Sequence, residues 1–162
     1  MIKAITLALT ILSFSVFADP SIFGMELGKM TEKDLNAMYQ VNPTGTHEAN
    51  GGNVYSIPVN EISFRGLTEV TAIFNKQGYL VAVLNKLQKR NFDSLNESFA
   101  KSYTLISIDN PFVGNKSAIY RDGATEISIN SQHNNVNMSL NYINDELKAA
   151  INGLNKEEKT ID

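Results

Sequence analysis

The sequence predicts an α+β domain, an antiparallel β-sheet with helices packed on one face. Three observations carry that expectation. Leu67–Leu87 reads as a hairpin, two apolar runs flanking the polar turn Asn75-Lys76-Gln77-Gly78. From Val136 to Tyr142 the chain alternates, with Val136, Met138, Leu140 and Tyr142 on one face and Asn137, Ser139 and Asn141 on the other. Between them, Phe92, Leu95, Phe99 and Tyr103 recur at three or four residues, the stripe of an amphipathic helix.

The central hairpin organises the rest. Val70, Ala72 and Phe74 share one face, and Leu80, Ala82 and Leu84 share another, but Tyr79, Val81 and Val83 are apolar as well. A strand apolar on both faces lies centrally, covered on both sides or covered on one and capped by loops on the other. Gly78 closes the turn because glycine takes positive φ without steric cost.

The remaining elements follow in order. Residues 1–18 have Lys3, an apolar run from Ile5 to Phe17 and Val16-Phe17-Ala18 before the break, the pattern of a secretory signal peptide cleaved before Asp19. The run is short for a membrane span, so no stable membrane anchor is expected. The style is bacterial and the expected address is the periplasm. Residues 19–154 form one α+β domain, and 155–162 read as a charged tail. Pro20–Gly28 is an extended entry. Thr31 caps a helix over Glu32–Gln40, with Glu32 and Asp34 in the first turn, where the helix dipole favours acid. Asn42–Asn53 reads as a polar loop, Val54–Val59 as a short strand that Pro58 ends or places at an edge, and Glu61–Gly66 as a connector. Asn91 or Asp93 starts the second helix. Thr104–Ile108 reads as a strand, and Asp122-Gly123 turns a hairpin between Ser117–Arg121 and Ala124–Asn130. Asn144 or Asp145 caps a last helix with Leu147, Ala150, Ile151 and Leu154 inward. The halves 23–88 and 91–143 read as two passes of one αβββ unit; the alternative is an α+β domain whose order repeats by coincidence. In either case the Asn/Ser-rich face of the last strands is open to solvent or a partner.

Composition limits the chemistry. The 162 residues contain no cysteine, which removes disulfides, zinc–thiolate sites, a thiol nucleophile and a lipidated N-terminal cysteine. Without the leader, 13 Lys and Arg stand against 17 Asp and Glu, with no basic block, so nucleic acid is not an expected partner. The histidines, His47 and His133, sit in polar turns; a metal would need them to converge with Glu48 or a distant carboxylate, and solvated loop histidines are the simpler reading. No Gly-x-Ser-x-Gly elbow, phosphate loop or selected carboxylate pair occurs. No catalytic residue, cofactor or metal is assigned.

Two loops are candidates for partner binding. Asp109–Lys116 has Phe112 and Val113 between Pro111 and Gly114, followed by Asn115 and Lys116. The apolar pair either tucks under the loop or stands out as an anchor. The second candidate is the 42–53 segment with His47 and Glu48, because long irregular segments in small domains are functional or mobile.

Phe23-Gly24-Met25-Glu26-Leu27-Gly28-Lys29-Met30-Thr31, leading into Glu32–Leu35, and Phe74-Asn75-Lys76-Gln77-Gly78-Tyr79-Leu80 at the hairpin carry a resemblance. The chain resembles small bacterial envelope modules, the outer-membrane assembly lipoprotein BamE and the β-lactamase-inhibitor protein fold, over about half of residues 19–162. The resemblance implies a helix-plus-sheet unit serving as a non-catalytic interaction surface. BamE-like lipoproteins carry a lipidated cysteine and this chain has none, which favours an untethered binder. The expected function is therefore a non-enzymatic, secreted periplasmic protein-binding module of inhibitor or immunity type, with a protein partner in the bacterial envelope. The alternatives are an envelope-assembly adaptor and a hydrolase with an unrecognised site.

Overall fold

The computed structural model describes residues 19–161. The expected signal peptide, residues 1–18, lies outside the described residues, as does Asp162. The chain opens with a small hairpin, β1 (Ser21–Ile22) and β2 (Met25–Glu26), turned through Phe23 and Gly24 at φ 54° and 78°. Phe23 is held there by the Tyr39 hydroxyl, which donates to its carbonyl at 2.6 Å, and by an edge-on contact with Phe64.

Helix α1 (Glu32–Met38) begins at a capping box. The Asp34 N–H donates to Thr31 Oγ1 at 3.2 Å, and the Asp34 carboxylate accepts from the Thr31 N–H at 3.0 Å. Then come β3 (Asn42–Thr46), β4 (Asn53–Ser56), β5 (Leu67–Phe74) and β6 (Leu80–Gln88). Helix α2 (Phe92–Ser102) leads into β7 (Thr104–Asp109), β8 (Lys116–Asp122), β9 (Thr125–Ser131) and β10 (Asn137–Asn144). Helix α3 (Asp145–Ile161) follows β10. A helix followed by four strands thus occurs twice. The two sets join in one eight-stranded sheet, β3-β4-β5-β6-β10-β9-β8-β7, antiparallel throughout and meeting at the β6–β10 seam.

Three of the sequence expectations need correction. Asn42–Asn53 is not a loop, since Asn42–Thr46 is an edge strand paired with β4 and the irregular part shrinks to 47–52. All of β3 is exposed, so it carries no apolar alternation to read. The helices also do not share one face. Leu35 of α1 and Phe92 and Phe99 of α2 pack on one side with Val70, Ala72, Val83, Tyr120, Ile127, Leu140 and Tyr142. Leu147 of α3 packs on the other side with Ile73, Val81 and Ala82. The register explains how β6 serves both cores. Ala82 pairs with Ile73 and Leu80 with Phe74, a bulge leaves Val81 between them in the same cluster as Ala82 and Ile73, and Val83 pairs with Ala72 on the opposite face. Helix α3 starts where the Asn144 side chain accepts from the Leu147 N–H at 3.0 Å, and it runs on through residues 155–161, which are helix rather than tail. Arg121–Asp145 and Lys148–Glu126 ion pairs and the Asn75–Glu146 hydrogen bonds fasten its first turns to the sheet and hairpin.

The larger core centres on an aromatic group. The Phe99 ring meets Tyr103, Tyr120 and Tyr142 edge-on at 5.2, 5.8 and 6.3 Å between centroids. Burial, reinforced by the neighbouring Tyr103, pushes the Tyr142 hydroxyl well above its ordinary range.

Candidate functional site

Connectivity sorts the loops to two ends of the sheet. The β3–β4, β5–β6 and β8–β9 turns share the lower end, and the β7–β8 and β9–β10 turns share the upper one. The expected binding residues are therefore split. His47 and Glu48 lie at the lower end beside the edge strand β3, whereas Phe112, Val113, Asn115 and Lys116 lie at the upper end beside the opposite edge. Seven strand spacings of ~4.8 Å separate those edges by roughly 34 Å. One partner surface does not unite them, and His47 and His133 likewise stand at opposite ends. Among the described residues no cluster of three or more His, Cys, Asp or Glu could hold a metal ion.

The lower group is an ordered turn. The His47 N–H donates to the Gly52 carbonyl at 2.8 Å, the Gly51 N–H returns to His47 O at 2.7 Å, and His47 Nδ1 accepts from the Ala49 N–H. The imidazole thus serves the turn. Asn50 ties the same turn to the central hairpin through the Phe74 carbonyl at 3.1 Å.

The upper group splits by role. Phe112 is completely exposed and Val113 is 69% exposed. Of the two placements open to this pair, tucked under the loop or standing out, the pair stands out. Asn115 and Lys116 hold the base beneath them. Asn115 Oδ1 accepts from the His133 N–H at 2.8 Å, joining this loop to the β9–β10 turn. That turn is held in its own right by Lys89, whose Nζ donates to the carbonyls of Gln132 and His133. Lys116 Nζ lies 3.1 Å from Asp93 Oδ1 and 5.3 Å from the Phe92 ring centroid, locking the start of β8 to α2. An apolar tip on an anchored base needs less of its backbone ordered at binding than one on a free loop.

Beside this loop, on the sheet face that α3 leaves uncovered, is a groove of about 360 Å³ whose lining includes Lys86, Asn130, Gln132, Val136, Asn137 and Ser139. Val136 stands 83% exposed at its rim. A smaller hollow of about 180 Å³ continues it across Thr71, Leu84 and Asn141. This is the Asn/Ser-rich face expected to be open, and its amides and hydroxyls offer both donors and acceptors. The role of Val136 at the rim was not legible in sequence, because alternation alone assigns it to the core side.

Electrostatics add little to a catalytic reading. The Asp34 carboxyl is held below its ordinary value by hydrogen bonds from Thr31, a helix cap. Tyr55 is pushed up by its hydrogen bond to Glu32, and Tyr39 and Tyr120 chiefly by burial. None of these groups lines the groove. Among the described residues no helix is long and apolar enough to cross a membrane. Comparison with protein-family models, with curated proteins and with solved structures gave no match.

Proposed function

We propose that this chain is a non-enzymatic protein-binding module of the bacterial periplasm, of inhibitor or immunity type, and that the Phe112–Val113 tip is its anchor. The single observation that carries the reading is the complete exposure of Phe112 on a loop braced by Asn115 and Lys116. A large aromatic standing fully in solvent beside a second exposed apolar side chain is the kind of feature that partner pockets receive. The adjacent polar groove would form the rim of such an interface. The leader pattern and the resemblance to envelope interaction modules support the same reading.

The test is capture from envelope extracts of the host and its competitors, using residues 19–162 and a Phe112→Asp variant side by side. A stoichiometric partner retained by the parent and lost from the variant supports the proposal. A partner held equally by both removes Phe112 from the interface. An envelope-assembly component as the captured species would favour the adaptor reading over inhibition.

A further inference from the structure

The methionines among the described residues divide into two kinds. Met25, Met30 and Met138 belong to the larger core, at 0%, 7% and 2% exposure. Met38, the last residue of α1, is 47% exposed. Its spacing from the fully buried Leu35, three residues, would put it on the inner stripe of the helix, yet it stands at the surface.

The Met38 thioether has a definite neighbour. Its Sδ and Cε lie 3.4 and 3.6 Å from the point at which a Cβ on Gly24 would stand, so the sulfur rests on the open side of that glycine. Phe23 and Gly24 form the β1–β2 turn, both at positive φ, and Phe23 is the one non-glycine residue among the described ones in that region. A bulky side chain stays there only because its surroundings hold it. Three groups hold it here. The Phe64 ring lies edge-on to Phe23, the Tyr39 hydroxyl donates to the Phe23 carbonyl, and the Met38 sulfur packs on Gly24. Two of the three come from consecutive residues at the end of α1.

We propose that Met38 is an oxidation site, the methionine that peroxide-class oxidants modify first, and that its sulfoxide loosens the Phe23–Gly24 turn. The sulfur lone pair attacks one oxygen of hydrogen peroxide and the O–O bond breaks. The sulfur keeps that oxygen and is oxidised by two electrons; the other oxygen leaves with both protons as water, so the peroxide is reduced. The chain has no cysteine to consume the oxidant first. Selectivity follows from burial, because the sulfurs of Met25, Met30 and Met138 meet solvent only when the core opens. The product is a polar, chiral group in place of a flexible apolar one. Its oxygen seeks hydrogen-bond donors, and the apolar contact with Gly24 offers none, so the side chain turns to water and the strained turn loses one of its three supports. The inference stands apart from the partner role proposed for Phe112.

Timed oxidation of residues 19–162 tests it. The protein is exposed to dilute hydrogen peroxide, quenched with free methionine, digested and read by mass spectrometry. Met38 should gain one oxygen at least about ten-fold faster than Met25, Met30 or Met138. Met38→Leu should abolish the fast phase with an unchanged circular dichroism spectrum. In the singly oxidised parent, amide exchange over residues 22–26 should rise several-fold while β8–β10 keep theirs, and methionine sulfoxide reductases should restore both mass and exchange. The exchange measurement uses the parent chain, so it stands even if Met38→Leu fails to fold. Equal rates at all four methionines, or a buried one reacting first, would overturn the site. Fast oxidation of Met38 with unchanged exchange over 22–26 would overturn its coupling to the turn.

Discussion

Lys116 separates the bracing of the exposed loop from its display, and its substitution can be worked through in magnitudes. The side chain is 24% exposed, while its partner Asp93 is 73% exposed. An ion pair with so exposed a partner contributes at most about 1 kcal/mol. Stacking of the ammonium over Phe92 adds ~0.5–1 kcal/mol. The partly buried methylene stem adds about 1 kcal/mol at ~0.8 kcal/mol per fully buried CH₂. Lys116→Ala should therefore cost about 2 kcal/mol, and Lys116→Met, which keeps the stem, about half of that. With a urea dependence of ~2 kcal/mol/M, the unfolding midpoint followed by circular dichroism should fall by roughly 1 M and 0.5 M respectively. Capture of the partner should survive in both variants, because the tip is untouched. Lys116→Ala shifting the midpoint by less than ~0.2 M, or Lys116→Met costing as much as Lys116→Ala, would refute the reasoning.

Other elements give equally definite expectations. Leu147→Ala should cost about 2–5 kcal/mol, and amide exchange should rise first along α3, since Leu147 is the fully buried side chain by which the helix seats on Ile73, Val81 and Ala82. Gly52→Ala should cost ~3 kcal/mol or more in urea unfolding, because a Cβ there would lie 1.8 Å from the Phe74 carbonyl oxygen, backbone that cannot step aside. The capping contribution of Asp34 should depend on pH. Its folded-state pKa lies below the ordinary carboxylate value of 3.8, so its stabilisation is full above that value and is lost as pH falls through the lower, folded-state one. Stability curves of the parent and Asp34→Asn should therefore converge in strong acid, and a gap that stays constant down to pH ~2 would contradict this assignment.

The parts of the fold legible in the sequence are those in which burial imposes a period. The 67–87 hairpin, the Phe92–Tyr103 stripe, the Met138–Tyr142 part of the alternation and the Thr31 cap all fall where they were read, whereas Val136 is exposed rather than inward. β3 was illegible because it is held by backbone pairing and the Thr44 hydroxyl, which donates to the Val54 carbonyl, with no side chain buried to impose a period. The seat of α3 was half legible. Apolar residues on both faces of this strand, Val83 on one and Ala82 and Leu84 on the other, required a second cover, but their spacing does not say which helix supplies it. For the candidate site, sequence marked Phe112 and Val113 without deciding between tucked and exposed. That choice depends on Asn115 reaching His133 and Lys116 reaching Asp93, contacts 18 and 23 residues apart. His47 drew attention as a scarce titratable residue, and its ring proves to accept from a backbone N–H inside its own turn.

The most direct test of the central claim places a photo-crosslinking benzophenone side chain at position 112 in living cells, with matched probes at 48 and 128. The proposed anchor predicts one dominant adduct from 112, weaker adducts from 128 on the open sheet face, and none from 48 at the opposite end. No adduct from 112, or one stronger from 48, would contradict the account.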